Sequence, residues 1–183
     1  MIFPLPRSIL PALALTAGAC LLSACTPKYD WREIRGTAAP FVAALPAKPS
    51  TMSRPINLDG VSVTMSMTAA EVGGTTFAVG SAQLPDAAKA QAALAAMKVA
   101  LVKNINGSIK GEKSVAPQAQ HQDVSNAVEI EAVGSRAGSP KTLLLMARFV
   151  AKGERVYQLV VVGEEKSVSR EAADTFFTSF KFN

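Results

Sequence analysis

Between two turn signals, Asp59-Gly60 and Gly73-Gly74, the apolar residues Val61, Val63, Met65 and Met67 alternate with Ser62, Thr64, Ser66 and Thr68. A period of two puts each set on its own side of a strand, so one face of this strand is apolar. Asp-Gly and Gly-Gly tolerate the positive φ angles that two-residue hairpins demand. The chain must therefore enter and leave the strand antiparallel, with Arg54 to Leu58 before it and Thr75 to Leu84 after it, where Phe77 and Val79 continue an apolar face. Such a meander commits the chain to a sheet whose apolar side needs a cover.

The cover is legible downstream. Pro85-Asp86 opens an Ala-rich run that reaches Asn106, with Asp86 placing negative charge at its start and Asn106-Gly107 offering a stop. Ala90, Leu94, Met97, Leu101 and Ile105 recur at helical spacing and form one buried face. Further strands are predicted at Ser108 to Ala116, Ala127 to Val133, Thr142 to Ala151 and Arg155 to Val162, the last two joined by a tight turn at Lys152-Gly153-Glu154. Tyr157 to Val162 is apolar on nearly both faces apart from Gln158, which predicts a central strand covered on both sides. Ser167 or Ser169 caps a last helix with Ala172, Ala173, Phe176, Phe177 and Phe180 on its apolar side. Phe41 to Leu45 reads as a strand ended by Pro46. The fold class is α+β, an antiparallel β-sheet with helices packed on it.

At the N-terminus Arg7 precedes an uncharged stretch from Ser8 to Leu22, and Leu22-Ser23-Ala24-Cys25 follows. A basic residue, a short apolar run and small residues are the layout of a secretory signal. Leu-Ser-Ala-Cys resembles the lipobox of bacterial lipoproteins. That resemblance implies a signal peptide at 1–24, a lipid-modified Cys25 as the new N-terminus and a periplasm-facing protein held to the cell envelope. Thr26 in place of the aspartate that typically retains such proteins at the inner membrane implies the outer membrane. Residues 25–40 then form the anchor and leader, and 41–183 a single α+β domain. The composition is ordinary for a folded chain, with 49% hydrophobic and 18% charged residues, and no later apolar run is long enough to span a bilayer. The two cysteines are Cys20 and Cys25, so removing the first and acylating the second leaves no thiol for a disulfide or a nucleophile.

In the leader, Trp31, Arg32 and Arg35 are candidates for membrane-proximal contact, since indole and guanidinium groups suit the lipid interface. Docking of Tyr29 to Ile34 on the domain is the simpler alternative.

The layout as a whole is similar to the PsbP-like fold family. The residues that carry this are Phe41-x-x-x-Leu45-Pro46, the Gly73-Gly74 hairpin, the helix after Leu84-Pro85, and the close from Gly153-Glu154-Arg155-Val156-Tyr157-Gln158-Leu159 to Phe177-Thr178-Ser179-Phe180. The resemblance implies a protein-binding or assembly module and assigns no ligand residue.

Candidate chemistry is sparse. His121 is the sole histidine and sits in a loop of amides beside Asp123, where a solvated role is the simpler reading. Met65 and Met67 suggest a thioether metal site, but they share a face with Val61 and Val63 and so belong to the core. Glu129 and Glu131 point to one face of a strand as a carboxylate pair would, with Arg148 as a salt-bridge partner. No G-x-S-x-G, H-E-x-x-H or phosphate-binding glycine motif is present. The net charge of +5 is scattered among acids, which argues against nucleic acid. The sequence therefore predicts no cofactor, metal or catalytic residue, and a non-enzymatic module with an envelope protein as partner. A carrier with an apolar pocket lined by Met97, Phe77, Phe176 and Phe177 is the alternative.

Overall fold

A computed structural model describes residues 27–115 and 124–183. Ten strands and two helices follow the chain: β1 (Arg32–Arg35), β2 (Phe41–Leu45), β3 (Ser50–Leu58), β4 (Val61–Val72), β5 (Thr75–Gln83), α1 (Ala87–Asn104), β6 (Ser108–Ser114), β7 (Val124–Ser135), β8 (Thr142–Lys152), β9 (Arg155–Glu164), α2 (Arg170–Ser179) and β10 (Lys181–Phe182). Seven of the strands form one sheet in the order β3-β4-β5-β9-β8-β7-β6, and β1-β2-β10 form a second. Every pairing in both is antiparallel.

The predicted turns fix the register. Asp59 and Gly60 have φ of 51° and 81°, and Gly73 and Gly74 have 58° and 75°, the two positive angles of a type I′ hairpin at each site. Leu58 thus pairs with Val61, and Val72 with Thr75. Gly153, with φ of 54°, closes the turn between Lys152 and Arg155. Two meanders, β3 to β5 and β6 to β9, meet where β5 pairs with β9, and α1 carries the chain from the sheet centre to its far edge.

α1 begins where Asp86 Oδ1 accepts from the Lys89 backbone N–H at 2.7 Å, satisfying one of the free donors of the first turn. It ends in a Schellman motif: Asn106 has φ of 45°, and the N–H groups of Asn106 and Gly107 donate to Lys103 O and Val102 O, each at 3.0 Å. The exit runs tight against β7. A Cβ on Gly134 would stand 2.1 Å from Ile105 O, so only glycine lets the helix end cross there. Ser135 N–H takes that carbonyl at 2.7 Å.

The helices lie on opposite faces of the large sheet. Ala90, Ala93, Leu94, Met97 and Ile105 pack with Ala78, Phe149, Val156 and Val160 on one side. On the other, α2 and the small sheet bring Phe176, Phe177, Phe41 and Leu45 onto Phe77, Val79, Tyr157, Leu159 and Val161. β5 and β9 supply alternate residues to both clusters, which is why their sequences are apolar on both sides.

The C-terminal helix and the leader are among the places where the structure differs from the sequence reading. The last helix stops at Ser179, and Phe180, expected on its apolar face, is the extended C-cap whose ring stacks on Phe41 at 5.6 Å. Ser169 is the N-cap used, accepting from Ala172 N–H at 3.2 Å. The leader also contains β1, which pairs with β2 from Arg32↔Leu45 to Arg35↔Val42. Only Ile34 of that strand is buried, so its sequence carries too little alternation to announce a strand. Cys25, Cys20 and the rest of 1–26, and His121, lie outside the described residues.

Candidate functional site

Three regions place the sequence's candidate residues. The first surrounds Glu129 and Glu131, which share one face of β7, as their spacing predicts, and that face is the one α2 covers. Register sets Arg148 of β8 directly opposite Glu129. Its guanidinium donates to Glu129 Oε1 through Nε at 2.7 Å and Nη2 at 2.5 Å, and through Nη1 to the carbonyl of Phe177 at 3.0 Å, while lying 5.3 Å from the Phe177 ring centre. Lys113 of β6 reaches the other Glu129 oxygen at 2.6 Å. Arg170, in the first turn of α2, grips Glu131 with two bonds of 2.7 and 2.8 Å.

Burial pushes the Glu129 carboxyl up, but hydrogen bonds from Lys113 and Arg148 and their charges outweigh it and hold the group below the usual carboxylate range. Hydrogen bonding from Arg170 holds Glu131 low as well, against a smaller opposing effect of burial. Both groups are therefore acceptors without a proton to give at neutral pH. Their lone pairs go to cations that join β6, β7, β8 and α2, and Arg148 satisfies a carbonyl of the last turn of α2. An open depression of about 460 Å³ lies over this network, lined by Glu129, Glu131, Arg170 and Asp174 among others.

The second region is the leader. Trp31 is half-buried and meets Phe77 edge-on at 6.3 Å, with the Tyr29 ring tilted against it at 5.8 Å. Asp30 N–H donates to Pro46 O at 2.9 Å and Gly36 N–H to Phe41 O at 2.9 Å, so the leader is held at both ends of β1. Arg32 pairs with Asp30 at 2.5 Å and Arg35 with Glu33 at 2.7 Å, all four side chains being exposed.

The third region was missed by the sequence reading, which began the strand before Asp59-Gly60 at Arg54. β3 starts four residues earlier and is an outer edge of the large sheet, with all but Ile56 and Leu58 of its nine residues exposed. Met52 is 65% exposed and faces Met67 across the pair. Met65 is in the core as predicted, and Met67, half-buried, packs against the same cluster while its sulfur accepts from Gln158 Nε2 at 3.3 Å. Gly80 makes room: a Cβ there would meet that sulfur at 2.4 Å. The alternation Met52, Arg54, Ile56, Leu58 was the available signal, obscured by Pro55. The opposite edge, β6, carries Lys110 and Lys113 and a register shift between Ile109 and Gly111, devices that discourage pairing.

The pocket expected from Met97, Phe77, Phe176 and Phe177 does not exist as one cavity. Met97 packs on the α1 face and the three phenylalanines on the α2 face, with the sheet between them. Among the described residues no group of three or more His, Cys, Asp or Glu is placed to hold a metal ion. No described helix is long and apolar enough to cross a membrane. No protein-family model matches the chain, and no curated protein matches it in sequence. What the geometry defines is an α+β fold with a large antiparallel sheet, two helices packed against it and an edge strand, β3, that pairs on one side only among the described residues.

Proposed function

We propose that the protein is a lipid-anchored envelope lipoprotein that binds a protein partner and performs no chemistry of its own, on a scaffold of the PsbP-like kind. Leu22-Ser23-Ala24-Cys25 supports the anchor at Cys25. The observation that carries the binding role is the β3 edge. Its residues Ser50 to Arg54 present backbone donors and acceptors with no strand beyond them among the described residues, and Met52 adds an apolar contact beside Met67. An extended segment of an envelope protein pairs with such an edge through its main chain and takes specificity from alternate side chains. The Glu129 and Glu131 carboxylates support this rather than hydrolysis, because their cations lock them into a structural role.

The test is a photoreactive residue at Ser53, compared with one at Ala88 on α1, in cells making the full chain. A discrete adduct from position 53 and none from position 88 is expected. Equal adducts from both, or none from position 53, would remove the reading.

A further inference from the structure

The leader limits how far the domain can stand from its anchor. If all of 25–40 were free, Cys25 would be tethered by enough chain for the domain to drift about 50 Å. Instead the chain is captured from Asp30 onward, by its bond to Pro46, by Trp31 on Phe77 and by the β1–β2 ladder. Lys28 is already against the domain, its Cε 3.7 Å from the place a Cβ on Gly73 would occupy. Three Cα–Cα steps separate Cys25 from Lys28, so the two lie within about 11 Å.

From this we infer that the end of the large sheet bearing the Gly73-Gly74 turn rests on the bilayer. The inference depends on the lipid-anchor reading of Cys25 and adds an orientation to it. Strand pairing shows what else belongs to that end. Thr75 pairs with Gly163, Leu144 with Gly163 and Ser135 with Thr142, so the β7–β8 turn, the β9–α2 connection and the exit of α1 all flank the hairpin. These segments carry exposed Lys103, Arg136 and Lys166 beside Lys28; the acids at this end are Glu71, Glu165, Asp30, which pairs with Arg32, and Glu164, which is engaged by Lys141. A surface of this kind suits anionic lipid headgroups. At the other end, Asp59, Asp86 and Glu154 are interspersed with Lys89, Lys152, Arg155 and Lys181. β4, with twelve residues, sets the separation of the two ends at about 40 Å. The helix start at Asp86 and the Asp59-Gly60 turn accordingly project away from the membrane.

The acylated chain has no other thiol, since Cys20 leaves with the signal, so single reporters are simple to install. Ala137→Cys lies in the β7–β8 turn and Ala88→Cys near the start of α1, both exposed. Each full chain is made in bacteria, purified in detergent, labelled with a fluorophore and reconstituted into vesicles of phosphatidylethanolamine and phosphatidylglycerol that contain a headgroup-nitroxide lipid. Intact mass of the same samples reads the state of Cys25. The expected result is an acylated chain beginning at Cys25 and quenching several-fold stronger at position 137 than at position 88. An acylated chain with equal or reversed quenching overturns the orientation alone. A chain without the lipid overturns the anchor reading and the orientation with it.

Discussion

The two faces of the large sheet are covered by opposite strategies. On the α1 face a helix approaches through alanines, with Ala90 and Ala93 wholly buried and Phe149 the only aromatic residue in the cluster. On the α2 face a shorter helix and a small sheet enclose a network of rings in which Phe77 meets Phe176 at 5.8 Å and Tyr157 meets Phe41, Phe180 and Phe182 at 5.2 to 6.2 Å. Small residues allow close approach and many weak contacts; large rings bury more area each and leave larger holes when removed. The face that receives the leader is thus the one with the greater energy per side chain. Burial in this ring network also pushes the Tyr157 phenol up, against a smaller pull from Arg155.

The sharpest way to break this contrast is to empty one site on each face. Phe176→Ala should cost about 3–5 kcal/mol of unfolding free energy, against about 2–3 kcal/mol for Met97→Ala, whose flexible neighbours relax more readily. Urea denaturation of both variants measures the difference, and an equal or larger loss at Met97 would contradict it.

Next in size is the ionic clamp that holds α2. Arg148→Ala should cost about 1.5–3 kcal/mol, because it strips Glu129 and the Phe177 carbonyl of a charged donor. The pH dependence follows from the direction of the shifts. Glu129 and Glu131 are depressed in the folded state, so their stabilisation is complete above the unfolded carboxylate value of about 4.3 and is lost as pH falls through the lower folded values. Stability measured from neutral to acid pH should therefore fall less steeply in Arg148→Ala than in the unaltered protein. A parallel curve would show that Arg148 does not set the Glu129 proton affinity.

A smaller effect belongs to the α1 side. Asp86→Ala removes the cap bond to Lys89 N–H and should lower stability by about 1 kcal/mol, seen as a shifted thermal midpoint. Smallest of all is Met52→Ser, which should change stability by less than about 0.5 kcal/mol while weakening the adduct formed from position 53. A large stability loss there would mean that Met52 is a core residue and the β3 edge is not free.

The parts of this architecture that were legible in the sequence are those where one physical signal acts alone. Asp59-Gly60 and Gly73-Gly74 dictate their turns through backbone conformation, Asp86 its helix start through capping, with Ser169 one of two caps the sequence offers for the last helix, and Glu129 and Glu131 their common face through strand periodicity. What escaped was set by tertiary neighbours. β1 is a strand because β2 offers it a ladder, and β10 holds two residues for the same reason. Phe180 leaves the helix because Phe41 and Tyr157 take its ring. Helical spacing groups Phe176 and Phe177, but nothing local states that α1 and α2 lie on opposite sides of the sheet, so the pocket expected with Met97 had no physical basis.

The account turns on the leader being part of the fold, since that makes the α2 face the richer one and keeps the tether short on the proposed anchoring at Cys25. Hydrogen exchange on the full chain tests it at the amides of Asp30 and Gly36, which donate to Pro46 and Phe41. Protection comparable to that of β2 is the predicted result. Exchange at the rate of an unstructured peptide would contradict it.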